Sequence, residues 1–108
     1  MKETISFLKV ISDKNRLRIL YSLQDKELCV CDLMDFIPLT QGALSIQLKN
    51  LSKESLLESR KDGKWIFYKL SKEIKPCYKK ILDEVFKEIN DDDEIKQLSK
   101  IRRKSCKN

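Results

Sequence analysis

The stretch Ile37-Pro38-Leu39-Thr40-Gln41-Gly42-Ala43-Leu44-Ser45-Ile46-Gln47-Leu48-Lys49-Asn50-Leu51 decides how the rest of the chain is read. Pro38 restricts the residue before it and stops a helix there. Thr40 is suited to cap the next helix, along which Leu44, Leu48 and Leu51 recur at i, i+4 and i+7 as one apolar edge. Upstream, Val30, Leu33, Met34 and Ile37 have the spacing of a short helix. Two short helices joined across Ile37-Pro38-Leu39 predict a helix-turn-helix.

Working downstream, Leu57-Glu58-Ser59-Arg60-Lys61 and Lys64-Trp65-Ile66-Phe67-Tyr68-Lys69-Leu70 are β-prone runs flanking Asp62-Gly63. Asp-Gly favours a two-residue type I′ hairpin turn, whose central residues both need positive φ. A basic hairpin directly after a helix-turn-helix is a wing. Alternation sets Trp65 and Phe67 on one face and Ile66 with Tyr68 on the other, so covering the core accounts for these aromatics better than base stacking does.

Working upstream, Glu3 to Ser12 carries Ile5, Leu8 and Ile11 at helical spacing, and Arg16 to Leu23 carries a second such pattern before a turn at Asp25-Lys26. Pro76 opens a last helix at no cost in hydrogen bonds. The apolar stripe after it, Cys77, Tyr78, Ile81, Leu82, Val85, Phe86 and Ile89, is wide enough to serve two neighbours. A homodimer through the first and last helices is therefore expected, with Ile5, Leu8, Tyr78, Ile81, Leu82 and Val85 at the interface. The fold class is mainly α with a small β-hairpin, a winged helix-turn-helix. Residues 1–90 form the DNA-binding and dimerisation domain and residues 91–108 a charged tail, in which Ile95, Leu98 and Ile101 give only a thin apolar edge.

The composition agrees with one compact domain. Of 108 residues, 37% are charged and 41% hydrophobic, and no apolar run approaches the roughly 20 residues that span a bilayer. Met1-Lys2-Glu3-Thr4-Ile5-Ser6 lacks the pattern of a secretory signal, so a cytoplasmic protein with no membrane partner is expected. A formal charge of +6 and a pI near 9.2 favour an anionic partner, nucleic acid first.

With the three leucines facing inward, the reading helix presents Gly42, Ser45, Ile46, Lys49, Asn50 and Lys53 outward, with Gln41 at its N-terminus. In a major groove Gln41 can pair with adenine, Ser45 with a base edge or phosphate, Ile46 with a thymine methyl and Lys49 with phosphate or guanine. Arg60, Lys61 and Lys64 flank the wing tip, where positive charge meets backbone phosphate or enters the minor groove.

Glu27-Leu28-Cys29-Val30-Cys31-Asp32-Leu33 holds two thiols separated by one residue, next to the helix-turn-helix. In a reducing compartment such thiols are ligands, sensors or core residues more often than disulfides. In an undisturbed helix, residues two apart point about 200° apart, so a shared ligand requires the first turn to distort. The chain has no histidine, which disfavours sites that rely on nitrogen ligands. Soft thiophilic ligands remain: trivalent arsenic or antimony ahead of cadmium, lead or cuprous copper. No cofactor is expected to be required for folding. An enzyme is disfavoured as well, because no histidine base, phosphate loop or oxyanion motif is present.

The Cys29-Val30-Cys31-Asp32-Leu33 motif, Leu39-Thr40-Gln41 with Leu44-Ser45 and Leu48, Arg60-Lys61-Asp62-Gly63-Lys64-Trp65 and Tyr68-Lys69-Leu70 together resemble the ArsR family of metal-sensing repressors, in its arsenic-responsive branch. The resemblance implies a homodimer that represses a metalloid-resistance operon and leaves double-stranded operator DNA when As(III) or Sb(III) binds its thiolates. Two departures stand out. Met34 occupies the position of the common third cysteine, which leaves Cys29 and Cys31 alone or joined by Cys77 or Cys106. Ile46-Gln47 replaces the Arg-His often found before the leucine. Alternatives of the same fold are a repressor switched by thiol oxidation or persulfide, and a winged-helix module that binds another protein.

Overall fold

The computed structural model describes residues 1–35 and 37–90. In chain order the elements are α1 (Lys2–Ile11), α2 (Lys14–Ser22), β1 (Leu28–Cys29), α3 (Val30–Met34), α4 (Gln41–Lys53), β2 (Leu57–Asp62), β3 (Trp65–Leu70) and α5 (Pro76–Ile89). The expected charged tail, with Cys106, lies outside the described residues.

Local chemistry explains where the helices begin. Asp13 caps α2 by accepting from the Arg16 N–H at 2.9 Å, and Thr40 caps α4 by accepting from the Ala43 N–H at 3.2 Å. Pro76 takes the first position of α5, where no N–H is required. α4 ends in a Schellman turn: the Leu56 N–H donates to Leu51 O, the Ser55 N–H donates to Ser52 O, and Ser55 takes φ 63°.

The core lies beneath the helix-turn-helix. Ile19, Leu20 and Leu23 of the second helical region meet Leu33 and Ile37, the α4 edge Leu44, Leu48 and Leu51, and Leu82 of α5, all essentially without solvent contact. Burying each such side chain contributes roughly 1.5–3 kcal/mol. α5 is fastened by two aromatic pairs. Phe7 and Tyr78 stack at 4.3 Å, and Tyr21 meets Phe86 edge-on at 5.7 Å.

Two of the six residues expected at a dimer interface pack inward instead. Leu82 is 0% and Tyr78 7% exposed, so both belong to the chain's own core. Of the other four, Ile5 is 44% and Leu8 42% exposed on α1, while Val85 is half-buried on α5 and Ile81 half-buried against the core.

The sheet also differs from a plain hairpin. It has three antiparallel strands in the order β1-β3-β2, because Leu28 pairs with Tyr68 and Cys29 with Phe67. The hairpin turn is Gly63-Lys64, one residue later than expected, flanked by the Asp62–Trp65 pair. Gly63 has φ 61° while Lys64 keeps negative φ, the sign pattern of a type II′ turn rather than type I′.

Candidate functional site

α4 is held as a rigid rod by its three buried leucines, and its opposite face is open. Gln41, Gly42, Lys49, Asn50 and Lys53 are exposed, Ile46 is 60% exposed and Ser45 is half-buried. A Cβ built on Gly42 would meet no atom within 4 Å, so the first turn of α4 presents bare backbone to the outside. Sequence reasoning missed a second anchor of this helix. Arg16 donates through Nε to Val10 O at 2.8 Å and through Nη1 to Gln47 Oε1 at 3.5 Å, tying α4 to the end of α1. Gln47 is thus turned toward the protein, beside the outward Ile46.

At the wing tip, Lys61 and Lys64 are exposed, with the Lys64 ammonium 5.4 Å from the Trp65 ring centre. Arg60 is placed differently from its neighbours. Its guanidinium makes contacts of 2.6–3.0 Å with both carboxylate oxygens of Glu27, through Nε and Nη2, and its carbon lies 4.7 Å from the Phe67 ring centre. The hydrogen bonds that Arg60 donates to Glu27 also hold the Arg60 pKa above its ordinary value. Lower in the wing, Lys69 pairs with Glu58 at 3.4 Å. Glu58 in turn accepts from the Lys72 N–H at 3.0 Å, and this backbone hydrogen bond lowers its pKa.

The two thiols of the motif occupy different environments. Cys29 is 1% exposed and Cys31 is exposed. The two do not share a helical turn. Cys29 precedes α3 as its N-cap, with extended backbone at φ −85° and ψ 170°, and belongs to β1. The buried Asp32 carboxylate accepts from the Cys29 N–H at 3.4 Å and fixes that junction. A ligand shared by Cys29 and Cys31 must bridge a buried and an exposed thiol. Met34 is 39% exposed, one turn along from Cys31.

Cys77 is exposed in the first turn of α5. Among the described residues, no three His, Cys, Asp or Glu side chains are grouped closely enough to hold a metal ion. The donor chemistry of the pair fits a thiophilic centre, with one sulfur buried beside β3 and the other open to solvent.

Among the described residues, no helix is long and apolar enough to cross a membrane. The family model described as "Bacterial regulatory protein, arsR family" matches residues 13–59, which span α2 through the start of the wing. The arsenical resistance operon repressor of Escherichia coli (strain K12) is 39% identical over 84 residues, covering 77% of this chain and 72% of that protein. Among solved structures, HlyU from Vibrio cholerae N16961 superposes with a TM-score of 0.71 at 31% identity, covering 80% of this chain and 90% of the other. The AntR antimony-specific transcriptional repressor gives a TM-score of 0.68 at 29% identity, covering 82% of this chain and 78% of the other. With its winged helix-turn-helix, the chain belongs to the bacterial arsR family of DNA-binding transcriptional repressors.

Proposed function

We propose that the protein represses a metalloid-resistance operon as a homodimer and leaves its operator when Cys29 and Cys31 capture As(III) or Sb(III). The observation that carries this reading is the position of the thiol pair. Cys29 is at once the N-cap of α3, which packs on α4, and the strand partner of Phe67 in the wing. Displacing Cys29 therefore disturbs both DNA-facing elements together. Two relatives, an arsenical resistance operon repressor and an antimony-specific transcriptional repressor, agree with this ligand class.

Gln41, Gly42, Ser45, Ile46 and Lys49 enter the major groove, and Lys61 and Lys64 meet phosphate beside it. Ile5, Leu8, Ile81 and Val85 cover one another across the two-fold axis. The inducer supplies a soft centre whose hydroxide groups are exchanged for thiolates, each thiol proton leaving in a water molecule. A coupling of about 1–3 kcal/mol between the two sites lowers DNA affinity roughly 5–150-fold.

The test is fluorescence anisotropy of the reduced protein on a duplex from immediately upstream of its own coding sequence, at fixed salt, with and without arsenite. Wild type is expected to bind and to be released. Cys31→Ser is expected to bind equally well and to stay bound. Release of Cys31→Ser at the wild-type arsenite concentration would overturn the proposed site. Binding that responds to peroxide and not to arsenite would transfer the switch to thiol oxidation.

A further inference from the structure

We infer that the Glu27–Arg60 pair is a latch that fastens β1, and with it Cys29, to the wing, making Arg60 a positioning residue of the switch rather than a phosphate contact. This inference rests on the operator-binding reading above and specifies how the thiol site communicates with the wing.

The geometry is closed on itself. Cys29 pairs with Phe67 across β1 and β3, and Phe67 pairs with Arg60 across β3 and β2. Arg60 folds its guanidinium back over the Phe67 ring at 4.7 Å and reaches Glu27, two residues before Cys29, with a fork of contacts at 2.6–3.0 Å. One side chain thus spans from β2 across β3 to the residue that leads into β1. A two-residue strand holds few ladder hydrogen bonds of its own, so this fork is a substantial part of what restrains its N-terminal side. Lysine cannot reproduce a planar fork that is also stacked on a ring.

While the latch is closed, Cys29 stays buried and the wing is fixed relative to α3. Drawing the Cys29 sulfur outward requires β1 to part from β3, and Glu27 then pulls on Arg60 and on β2. Coupling is reciprocal, so DNA that holds the wing must also hold Cys29 in the core.

The readout is the rate of modification of each cysteine by N-ethylmaleimide, resolved by the fragment-ion masses of the peptide that carries both Cys29 and Cys31, in the full chain with and without the upstream duplex. Modification of a buried thiol reports the opening equilibrium of the segment around it. Glu27→Gln and Arg60→Lys are each expected to raise the Cys29 rate about two- to fivefold, the range for losing an exposed charged pair. The double variant should go no further, and Cys31 should be unaffected. Glu58→Gln, which cuts an ion pair of the same sheet that does not reach β1, serves as the control and should leave Cys29 at the wild-type rate. Bound duplex should slow Cys29 modification in wild type, and less in the two latch variants.

Single variants with the wild-type Cys29 rate, or two effects that multiply in the double variant, would overturn the latch. So would a duplex that binds and leaves Cys29 modification unchanged. A duplex that fails to bind at all overturns the operator-binding reading instead, and the rates without DNA still decide whether the latch exists.

Discussion

Cys29 and Cys31 are two positions apart and differ by almost complete burial against exposure, and this asymmetry follows from a change of backbone between them. Cys29 is extended and strand-paired, while Cys31 already lies on a helical turn. The motif was legible because thiols in the absence of histidine restrict the ligand chemistry. The burial was not legible, because two residues of strand are too few to show a period of two. Gly42 poses a comparable question on the reading helix. Its Cβ position is empty and it lies in a helix, so Gly42→Ala should raise stability by about 0.5–1 kcal/mol through helix propensity alone. If DNA backbone approaches that turn closely, the same methyl should lower operator affinity about tenfold. A thermal melt and an anisotropy titration on one preparation separate the two effects, and unchanged affinity would show that the first turn of α4 stands clear of the duplex.

At the scale of elements, the reading helix was visible from end to end except for its stop. Its start was marked by Thr40 and its buried edge by three leucines, but the left-handed residue that ends it is Ser55, where glycine would have given the signal. A serine at φ 63° carries a steric cost that glycine lacks. Ser55→Gly should therefore stabilise the protein by about 1 kcal/mol, read as a higher urea midpoint with unchanged slope. An unshifted midpoint would mean that the serine hydroxyl compensates the strain. The wing shows a subtler limit. Moving the turn from Asp62-Gly63 to Gly63-Lys64 shifts the cross-strand pairing by two residues, which leaves every side chain on the same face. Alternation cannot distinguish such registers. Pairwise chemistry can, because the observed register sets Leu57 opposite Leu70 and Glu58 opposite Lys69, whereas the earlier turn would set Lys61 opposite Lys64.

For the whole molecule, the width of the α5 stripe led to the expectation of two apolar faces, but the sequence could not divide the residues between a core and an interface. The stack of Tyr78 on Phe7 and the full burial of Leu82 assign those two inward and leave Ile5 and Leu8 exposed, with Val85 half-buried and Ile81 half-buried against the core. Ile5→Glu together with Leu8→Glu should weaken the proposed dimer at least tenfold in sedimentation equilibrium, with little effect on the fold of each chain, because neither side chain is in the core. A dimer that survives this double substitution would place the interface elsewhere.

The pairing of Leu28 with Tyr68 and of Cys29 with Phe67 closes a loop of about forty residues around the entire helix-turn-helix. Closure entropy grows slowly with loop length, so lengthening the connection between α3 and α4 would add little to the cost of closing it. The order of assembly is constrained more strongly. The short strand gains its partner only after two helices and a hairpin have come together, which makes it a late contact on folding and an early loss on opening. Cys29 therefore lies on the segment of the chain that the protein acquires last and surrenders first.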